Sequence, residues 1–242
     1  MKWANPGGTL YSPLYYNMAK QPHLLIAGAT GSGKSVVING IIQSLLACQL
    51  PSTAQFILID PKRVELVMYR DLPHTVCYAS EISEMIQALR YTLFIIDDRY
   101  KAMQKQGEKK YTGSDLYVII DELADLMTTC KKDVQPLLQR ICQIGRAAKV
   151  HVIAATQCPL ATVIPTAIKV NFDARVGLRT RSAQDSRNIL GQSGCETLPR
   201  YGQGYYMTPE RMKPEVENLH YFKDSDLQAL VDYWTSPACK IA

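Results

Sequence analysis

Residues 24–39 read LLIAGATGSGKSVVIN, and the rest of the chain can be interpreted from them. The apolar run 24–27 leads into the pattern G-x-x-x-x-G-K-S at residues 28–35, and apolar residues at helical spacing follow over 36–46. A strand, a glycine-rich loop and a helix in this order are the context that a phosphate-binding loop requires. This pattern therefore predicts a nucleoside triphosphate site.

The residue types in the loop have chemical reasons. Glycines let successive backbone N–H groups turn inward around a polyphosphate, and the N-terminus of the following helix directs more N–H groups at the same anion. We expect Lys34 to reach the β- and γ-phosphates and the Ser35 hydroxyl to bind Mg²⁺. The predicted nucleotide-binding residues are Gly28, Ala29, Thr30, Gly31, Ser32, Gly33, Lys34, Ser35 and Val36.

Two acidic residues, Asp121 and Glu122, stand at the end of a second apolar run, LYVIID at residues 116–121. By itself such a strand end means little, but downstream of a phosphate-binding loop it indicates the second half of a nucleotide site. We expect Asp121 to hold Mg²⁺ directly or through water. Glu122 faces the opposite side of the pleat and is predicted to polarise the attacking water.

Further apolar runs predict an α/β fold with a mostly parallel sheet covered by helices on both faces. Gln157 follows one of these runs, and ligands gather outside the carboxyl ends of such strands. We therefore expect Gln157 to sense the γ-phosphate or its water, the alternative being a polar strand end. Strands are predicted at 55–60, 116–121, 150–156, 172–178 and 202–207, and helices at 64–69, 81–103, 123–129, 134–148, 182–190 and 225–234.

Some boundaries can be predicted in more detail. Ser80 is the expected N-cap of the helix over 81–103, and Asp224 or Ser225 that of the last helix. Residues 1–22 contain turn-forming Pro, Gly, Asn and Ser residues and are expected to wrap one edge of a core formed by residues 23–242. With 47% hydrophobic residues and no Pro/Gly/Ser-rich linker, the 242 residues are predicted to form one domain.

The composition narrows the class of protein. A net charge of +5 permits a nucleic-acid partner without requiring one. Seven scattered cysteines without C-x-x-C spacing indicate reduced thiols rather than a structural zinc site. No apolar run approaches the ~18 residues of a membrane span. We expect a cytoplasmic location, either for a free protein or for the cytoplasmic part of a membrane-anchored one.

The sequence resembles the motor domain of the FtsK/SpoIIIE family of DNA translocases, in the FtsK–HerA branch of RecA-like P-loop NTPases. The resemblance covers residues 5–234, and its specificity comes from an ordered set of seven motifs rather than from the phosphate-binding loop alone. The motifs are PHLLIAGATGSGKS (22–35), LIDPKRVEL..Y (58–69), DRYKAM (98–103), YVIIDELADLM (117–127), LLQRICQIGRAAKVHVIAATQ (137–157), IKVNFDARVGLRTRSAQDSRNILG (168–191) and GQGYYM (202–207).

This resemblance implies a homo-hexameric ring that hydrolyses ATP with Mg²⁺ and moves double-stranded DNA through a central pore. Such rings usually complete each site with an arginine from the neighbouring subunit. The predicted sources are Arg146, Arg181 and Arg187, each of which has a local surface salt bridge as its alternative. Pore-facing loops are expected within 192–212, and the predicted DNA contacts are Arg200, Arg211 and Lys213.

The sequence departs from the family pattern in two ways. Full-length members usually carry membrane segments, a linker and a winged-helix module, so partner domains for membrane anchoring or recombination are expected outside this chain. After Gln157 the family commonly has Arg-Pro-Ser, where this sequence has Cys158-Pro159-Leu160.

Three other classes of protein can contain a phosphate-binding loop of this kind. A secretion or conjugation ATPase of the same superfamily would have the same nucleotide site and stays open as the alternative. A small-molecule phosphoryl transferase is disfavoured, because such an enzyme must exclude water and does not need Glu122 to activate it. A binding-only module is disfavoured because every expected catalytic position is filled.

Overall fold

The computed structural model describes residues 3–9, 12–219, 221 and 223–236. Within them the strands β1–β10 are Trp3–Thr9, Ser12–Asn17, His23–Ala27, Ala54–Ile59, Thr75–Ala79, Asp115–Ile120, Val150–Thr156, Ala174–Gly177, Gln203–Thr208 and Arg211–Asn218. The helices α1–α7 are Lys34–Cys48, Ile82–Gln106, Leu123–Thr129, Lys131–Ile144, Thr166–Lys169, Ala183–Leu190 and Asp224–Thr235.

Eight strands form one sheet in the order β10-β9-β8-β3-β7-β6-β4-β5. The six strands from β8 to β5 run parallel, and β9 and β10 add an antiparallel edge. Strands β1 and β2 pair with each other in a separate antiparallel sheet, in which Trp3 pairs with Asn17.

Helices cover both faces of the large sheet, because alternate residues of its buried strands point to opposite sides. On β3, Leu24 and Ile26 pack in a core with side chains of α1 and α7, whereas Leu25 packs in a second core with side chains of α2, α3 and α4. The predicted mostly parallel α/β architecture is confirmed.

The parallel register brings the ends of three neighbouring strands to one edge. Ala27 at the end of β3 pairs with Thr156 at the end of β7, and Ile120 at the end of β6 pairs with Ala154. The loop after β3, Gln157 after β7 and the acids after β6 therefore lie along the same edge of the sheet.

Several local predictions were wrong. The helix expected over 64–69 is only a 3₁₀ turn, Val67–Tyr69, and Arg63 before it has a positive φ of 57°. Helix α2 is capped by Glu81 instead of Ser80, because Glu84 accepts the Glu81 N–H at 3.0 Å in a capping box. The N-cap of α7 is Lys223, and Asp224 is its first helical residue.

The cysteines of the described residues, at positions 48, 77, 130, 142, 158 and 195, are free thiols. Cys239 lies outside the described residues. No group of three or more His, Cys, Asp or Glu side chains within the described ranges is arranged to hold a metal ion.

Candidate nucleotide site

The loop between β3 and α1 has a backbone that glycine makes possible. Gly31 and Gly33 have φ values of +73° and +94°, in the left-handed region. A Cβ on Gly28 would lie 2.5 Å from Ser32 Oγ and 2.6 Å from the Cβ of Leu178, so a larger residue there would collide with the loop and with the chain after β8. The loop thus forms a cradle that side chains at these positions would distort.

Two backbone hydrogen bonds hold this cradle against the sheet. The N–H of Gly28 donates to the carbonyl of Thr156 at 3.2 Å, and the N–H of Ala29 donates to the carbonyl of Arg179 at 2.8 Å. Helix α1 then begins at Lys34, directly after Gly33. Its N-terminal N–H groups and positive dipole end therefore adjoin the loop.

Lys34 and Asp121 form a buried pair across the site. Lys34 Nζ donates to the Asp121 carbonyl at 2.8 Å and to Asp121 Oδ1 at 3.1 Å. The exposed fractions of these side chains are 7% and 1%. The attraction between an ammonium and a carboxylate at this distance offsets part of the cost of removing them from water.

Glu122 is equally buried, and three groups converge on its carboxylate. The backbone N–H of Gln157 donates to Oε1 at 3.0 Å and to Oε2 at 3.2 Å. Lys62 Nζ lies 3.4 Å from Oε2, and Lys34 Nζ lies 3.9 Å from the same atom. These contacts hold the carboxylate in place in a region almost closed to solvent.

Lys62 is a residue of this site that the sequence interpretation missed. It also lies 3.7 Å from the carboxylate of Asp125. Burial opposes its charge, but the carboxylates of Glu122 and Asp125 outweigh burial and raise the pKa of Lys62. The only signal in the sequence was its place in the turn Asp60-Pro61-Lys62-Arg63 after a buried strand.

Gln157 connects the loop to the acids. Its side-chain Oε1 accepts a hydrogen bond from the Thr30 hydroxyl at 2.8 Å, while its backbone N–H binds Glu122. One residue thus touches both the loop and the carboxylate, which suits the predicted sensing role.

Ser35 and Asp121 fit the requirements of Mg²⁺. Both offer oxygen donors, and this ion is usually bound by one or two carboxylates together with phosphate oxygens and water rather than by a cage of protein ligands.

A cavity of about 610 Å³ opens from the loop. Its volume lies in the range of small-molecule sites. Beyond the loop and Gln157, its walls come from three later parts of the chain, which supply Glu65, Tyr201, Gly202, Leu219 and Tyr221. The two tyrosines were not predicted as site residues, since nothing near them in the sequence marks a nucleotide site.

The predicted arginines fall at different places. Arg181 is exposed and lines smaller cavities beside Ala29, within the same chain. Arg146 is exposed in the turn between α4 and β7, at the edge of the sheet opposite the loop, and Arg187 is exposed on α6. The structure therefore brings Arg181, and not Arg146, to the loop of its own chain.

The residues predicted to contact DNA are also separated. Arg200 lies against the loop, with Nη2 3.1 Å from where a Cβ on Gly31 would stand. Arg211 on β10 forms ion pairs with Glu215 at 3.3 Å and Glu217 at 3.0 Å. Lys213 lies on the same strand and is exposed.

Comparisons with known sequences agree with the resemblance described above. The model of the FtsK/SpoIIIE family matches residues 6–115 and 105–161. DNA translocase FtsK 1 of Neisseria meningitidis serogroup B is 34% identical in an alignment that covers 94% of this chain and 32% of that protein. DNA translocase FtsK of Shewanella oneidensis is 35% identical in an alignment that covers 92% of this chain and 28% of that protein. The chain thus spans about a third of the length of these relatives.

Solved structures share the fold. The cytoplasmic domain of the type VII secretion ATPase EccC from Thermomonospora curvata superposes with a TM-score of 0.81 at 23% identity, covering 96% of this chain and 31% of that one. The pCW3 conjugation coupling protein TcpA, in a monomer form with ATPγS, gives a TM-score of 0.81 at 23% identity, covering 94% and 69%. No helix among the described residues is long and apolar enough to cross a membrane. The chain belongs to the FtsK/SpoIIIE family of P-loop ATPases.

Proposed function

We propose that this chain is the motor domain of a translocase, which hydrolyses ATP and uses that reaction to move along double-stranded DNA. The observation that carries the proposal is the convergence of Lys34, Asp121 and Glu122 at the mouth of the loop, with Lys34 Nζ 3.1 Å and 3.9 Å from the two carboxylates. A phosphate-binding lysine, a metal-binding acid and a second acid are the groups that ATP hydrolysis requires.

In this proposal the loop amides bind the β- and γ-phosphates, and Lys34 exchanges Asp121 for phosphate oxygens. Mg²⁺, when held by Ser35 and Asp121, supplies positive charge to the phosphates. Water attacks the γ-phosphorus in line, the bond to the β–γ bridging oxygen breaks, and Glu122 accepts the proton of the attacking water. Gln157 orients this water or the γ-phosphate through its side-chain amide.

The contacts of Glu122 suggest how hydrolysis is restrained without a partner. The Gln157 N–H donates to both of its oxygens and Lys62 Nζ to Oε2, so fewer acceptor positions are left for the attacking water. We propose that nucleotide and DNA binding shift β7 and the Lys62 turn enough to release the carboxylate. The resting chain would then hydrolyse ATP slowly and the DNA-bound ring faster.

The DNA substrate is supported by the relatives, which are named DNA translocases. A net charge of +5 is compatible with a nucleic-acid partner, and modest phosphate contacts sum around a ring of several subunits. We propose a homo-hexamer in which an arginine of the neighbouring subunit completes each site, and Arg146, which is exposed and lies away from the site of its own chain, is the first candidate.

The test measures phosphate release from ATP with and without linear duplex DNA, over a series of salt concentrations. We expect stimulation by the duplex and weaker DNA binding as salt rises. A chain that hydrolyses ATP without any response to duplex, and without salt-sensitive DNA binding, would instead be a secretion or conjugation ATPase of this superfamily.

A further inference from the structure

The turn at residues 200–202 stands at the boundary of two cavities. Tyr201 and Gly202 line the cavity of about 610 Å³, which also contains Lys34 and Ser35. Arg200 lines a neighbouring cavity of about 490 Å³, and both cavities share Ala29, Thr30 and Gly31 as a wall. The turn therefore presents an aromatic ring to one cavity and a cation to the other, on either side of the same loop segment.

The guanidinium of Arg200 is in close contact with the loop. Its Nη2 atom lies 3.1 Å from the position of a Cβ on Gly31, and Nε lies 3.6 Å from it. Within the described residues no carboxylate lies within 4.0 Å of this guanidinium, although Glu196 lines the same cavity. The charge is thus not neutralised by a salt bridge there, and it adds to the positive potential at the loop.

The position of the turn is fixed by the surrounding backbone. Gly202 has a φ of +83°, and its carbonyl accepts the N–H of Leu219 at 2.8 Å. Upstream, the carbonyl of Cys195 accepts the N–H of Thr180 at 3.3 Å, next to Arg179, whose carbonyl holds the loop. Hydrogen bonds therefore hold the turn on both sides. The Arg200 Cζ atom lies 5.3 Å from the centroid of the Tyr201 ring, and this cation–π contact orients the two side chains together.

The ring of Tyr201 stands where a nucleoside would lie. A phosphate-binding loop places its polyphosphate along its own amides and the N-terminus of the helix, so the remaining walls of the cavity surround the rest of the nucleotide. These walls include Leu219 and Tyr221, which with Tyr201 form an apolar surface. Aromatic side chains stack on nucleobases because every base has a π-face.

We infer that Arg200 and Tyr201 form a nucleotide-recognition corner in which Tyr201 binds the nucleoside and Arg200 strengthens the binding of the triphosphate through the loop. This inference rests on the proposed function and goes beyond it. It assigns to nucleotide binding an arginine that the sequence had suggested for DNA. Tyr201 contacts the ligand, and Arg200 is a positioning residue that acts by charge on the loop.

Titration calorimetry on the full chain with Mg²⁺ tests the two roles separately. The ligands are the non-hydrolysable analogue AMP-PNP and inorganic tripolyphosphate, which lacks the nucleoside. We expect Arg200→Gln to weaken both ligands ~10-fold, with a smaller dependence of affinity on salt, and Arg200→Lys to restore most of the loss. We expect Tyr201→Ala to weaken AMP-PNP ~10-fold and leave tripolyphosphate unchanged, and Tyr201→Phe to bind as the parent does.

Arg90→Gln and Tyr91→Ala are matched controls, since both residues are exposed on α2 and neither lines these cavities. Duplex DNA binding without nucleotide is measured for every variant. The inference is overturned if Arg200→Gln weakens duplex binding and leaves both ligands unaffected, or if Tyr201→Ala weakens both ligands equally.

Lys34→Ala separates this inference from the function it rests on. If Lys34→Ala weakens AMP-PNP while the variants at Arg200 and Tyr201 do not, the corner has no role but the nucleotide site stands. If Lys34→Ala also leaves AMP-PNP binding unchanged, the proposed function itself fails.

Discussion

The backbone N–H of Gln157 donates to both carboxylate oxygens of Glu122, at 3.0 and 3.2 Å. The side chain of the same glutamine accepts the Thr30 hydroxyl at 2.8 Å. A continuous hydrogen-bonded path therefore joins the phosphate-binding loop to the proposed base through a single residue. We expect a shift of the loop on binding a γ-phosphate to reach Gln157 and, through its N–H, Glu122.

Replacement of the Gln157 side chain tests this path. Gln157→Leu keeps the N–H that binds Glu122 but removes the acceptor for Thr30. We expect kcat for ATP to fall roughly tenfold and KM to change less than about threefold, since the amide acts on the reacting group rather than on nucleotide affinity. Gln184→Leu on the exposed face of α6 serves as control. A raised KM at unchanged kcat would contradict the sensing role.

Lys62 is expected to restrain Glu122. Lys62→Met removes the ammonium 3.4 Å from Oε2 and keeps the length of the side chain. With one donor fewer on this oxygen, we expect the rate without DNA to rise about threefold and the stimulation by duplex to fall in proportion. Lys101→Met on the exposed side of α2 should change neither rate. If ATP hydrolysis became slower both with and without duplex DNA, Lys62 would assist the reaction instead of restraining it.

Gly107 offers a stability test away from the site. It ends α2 with a φ of +68°, and no described heavy atom lies within 4 Å of a Cβ built on it. Gly107→Ala should therefore lower the free energy of unfolding by about 1 kcal/mol through backbone conformation alone. Urea unfolding measures the loss, which should be smaller for Gly107→Asn. Equal stability of all three proteins would refute the assignment of this conformation.

Stability should depend on pH through His23. Its Nε2–H donates to the Cys142 carbonyl at 2.9 Å while Nδ1 accepts the Val152 N–H at 3.1 Å, so the neutral ring satisfies both partners. Burial, with a smaller effect of His151, lowers the pKa of His23 from 6.5 to about 4.

Between these two values the unfolded chain binds more protons at this residue than the folded chain does. The contribution of His23 to stability is therefore complete above pH 6.5 and decreases as the pH falls toward 4, by about 3 kcal/mol in all. Between pH 7 and pH 4.5, the urea midpoint of unfolding should decrease less for His23→Gln than for the parent. The same decrease in both proteins would exclude His23 as a source of the pH dependence of stability.

The centre of the fold was predictable because its strands are buried on both faces. Strands β3, β6 and β7 read as nearly continuous apolar runs, and each is followed directly by a residue of the site. The edges were not. Strand β10, RMKPEVEN, was missed because it is polar and contains a proline, as edge strands often do. Strand β5 was missed because only Ala79 of its five residues is buried.

The site was predictable to the extent that its residues follow strand ends. Placing Asp121 in the same site as the loop required only a motif downstream of the loop and a strand end beside it. The contact between Lys62 and Glu122 spans 60 positions, and the approach of Arg200 to Gly31 depends on how the turn after α6 folds back. No local pattern specifies such contacts, because tertiary packing alone creates them.

The most direct test of the central claim replaces the proposed base by its amide. Glu122→Gln preserves the size of the side chain and removes its ability to accept a proton. We predict that it binds ATP and Mg²⁺ as tightly as the parent. With duplex DNA present, its rate of phosphate release should be lower than that of the parent by ~10²-fold or more. Asp98→Asn, an exposed acid on α2 away from the site, should retain its turnover. Phosphate release by Glu122→Gln at the parental rate would contradict the mechanism.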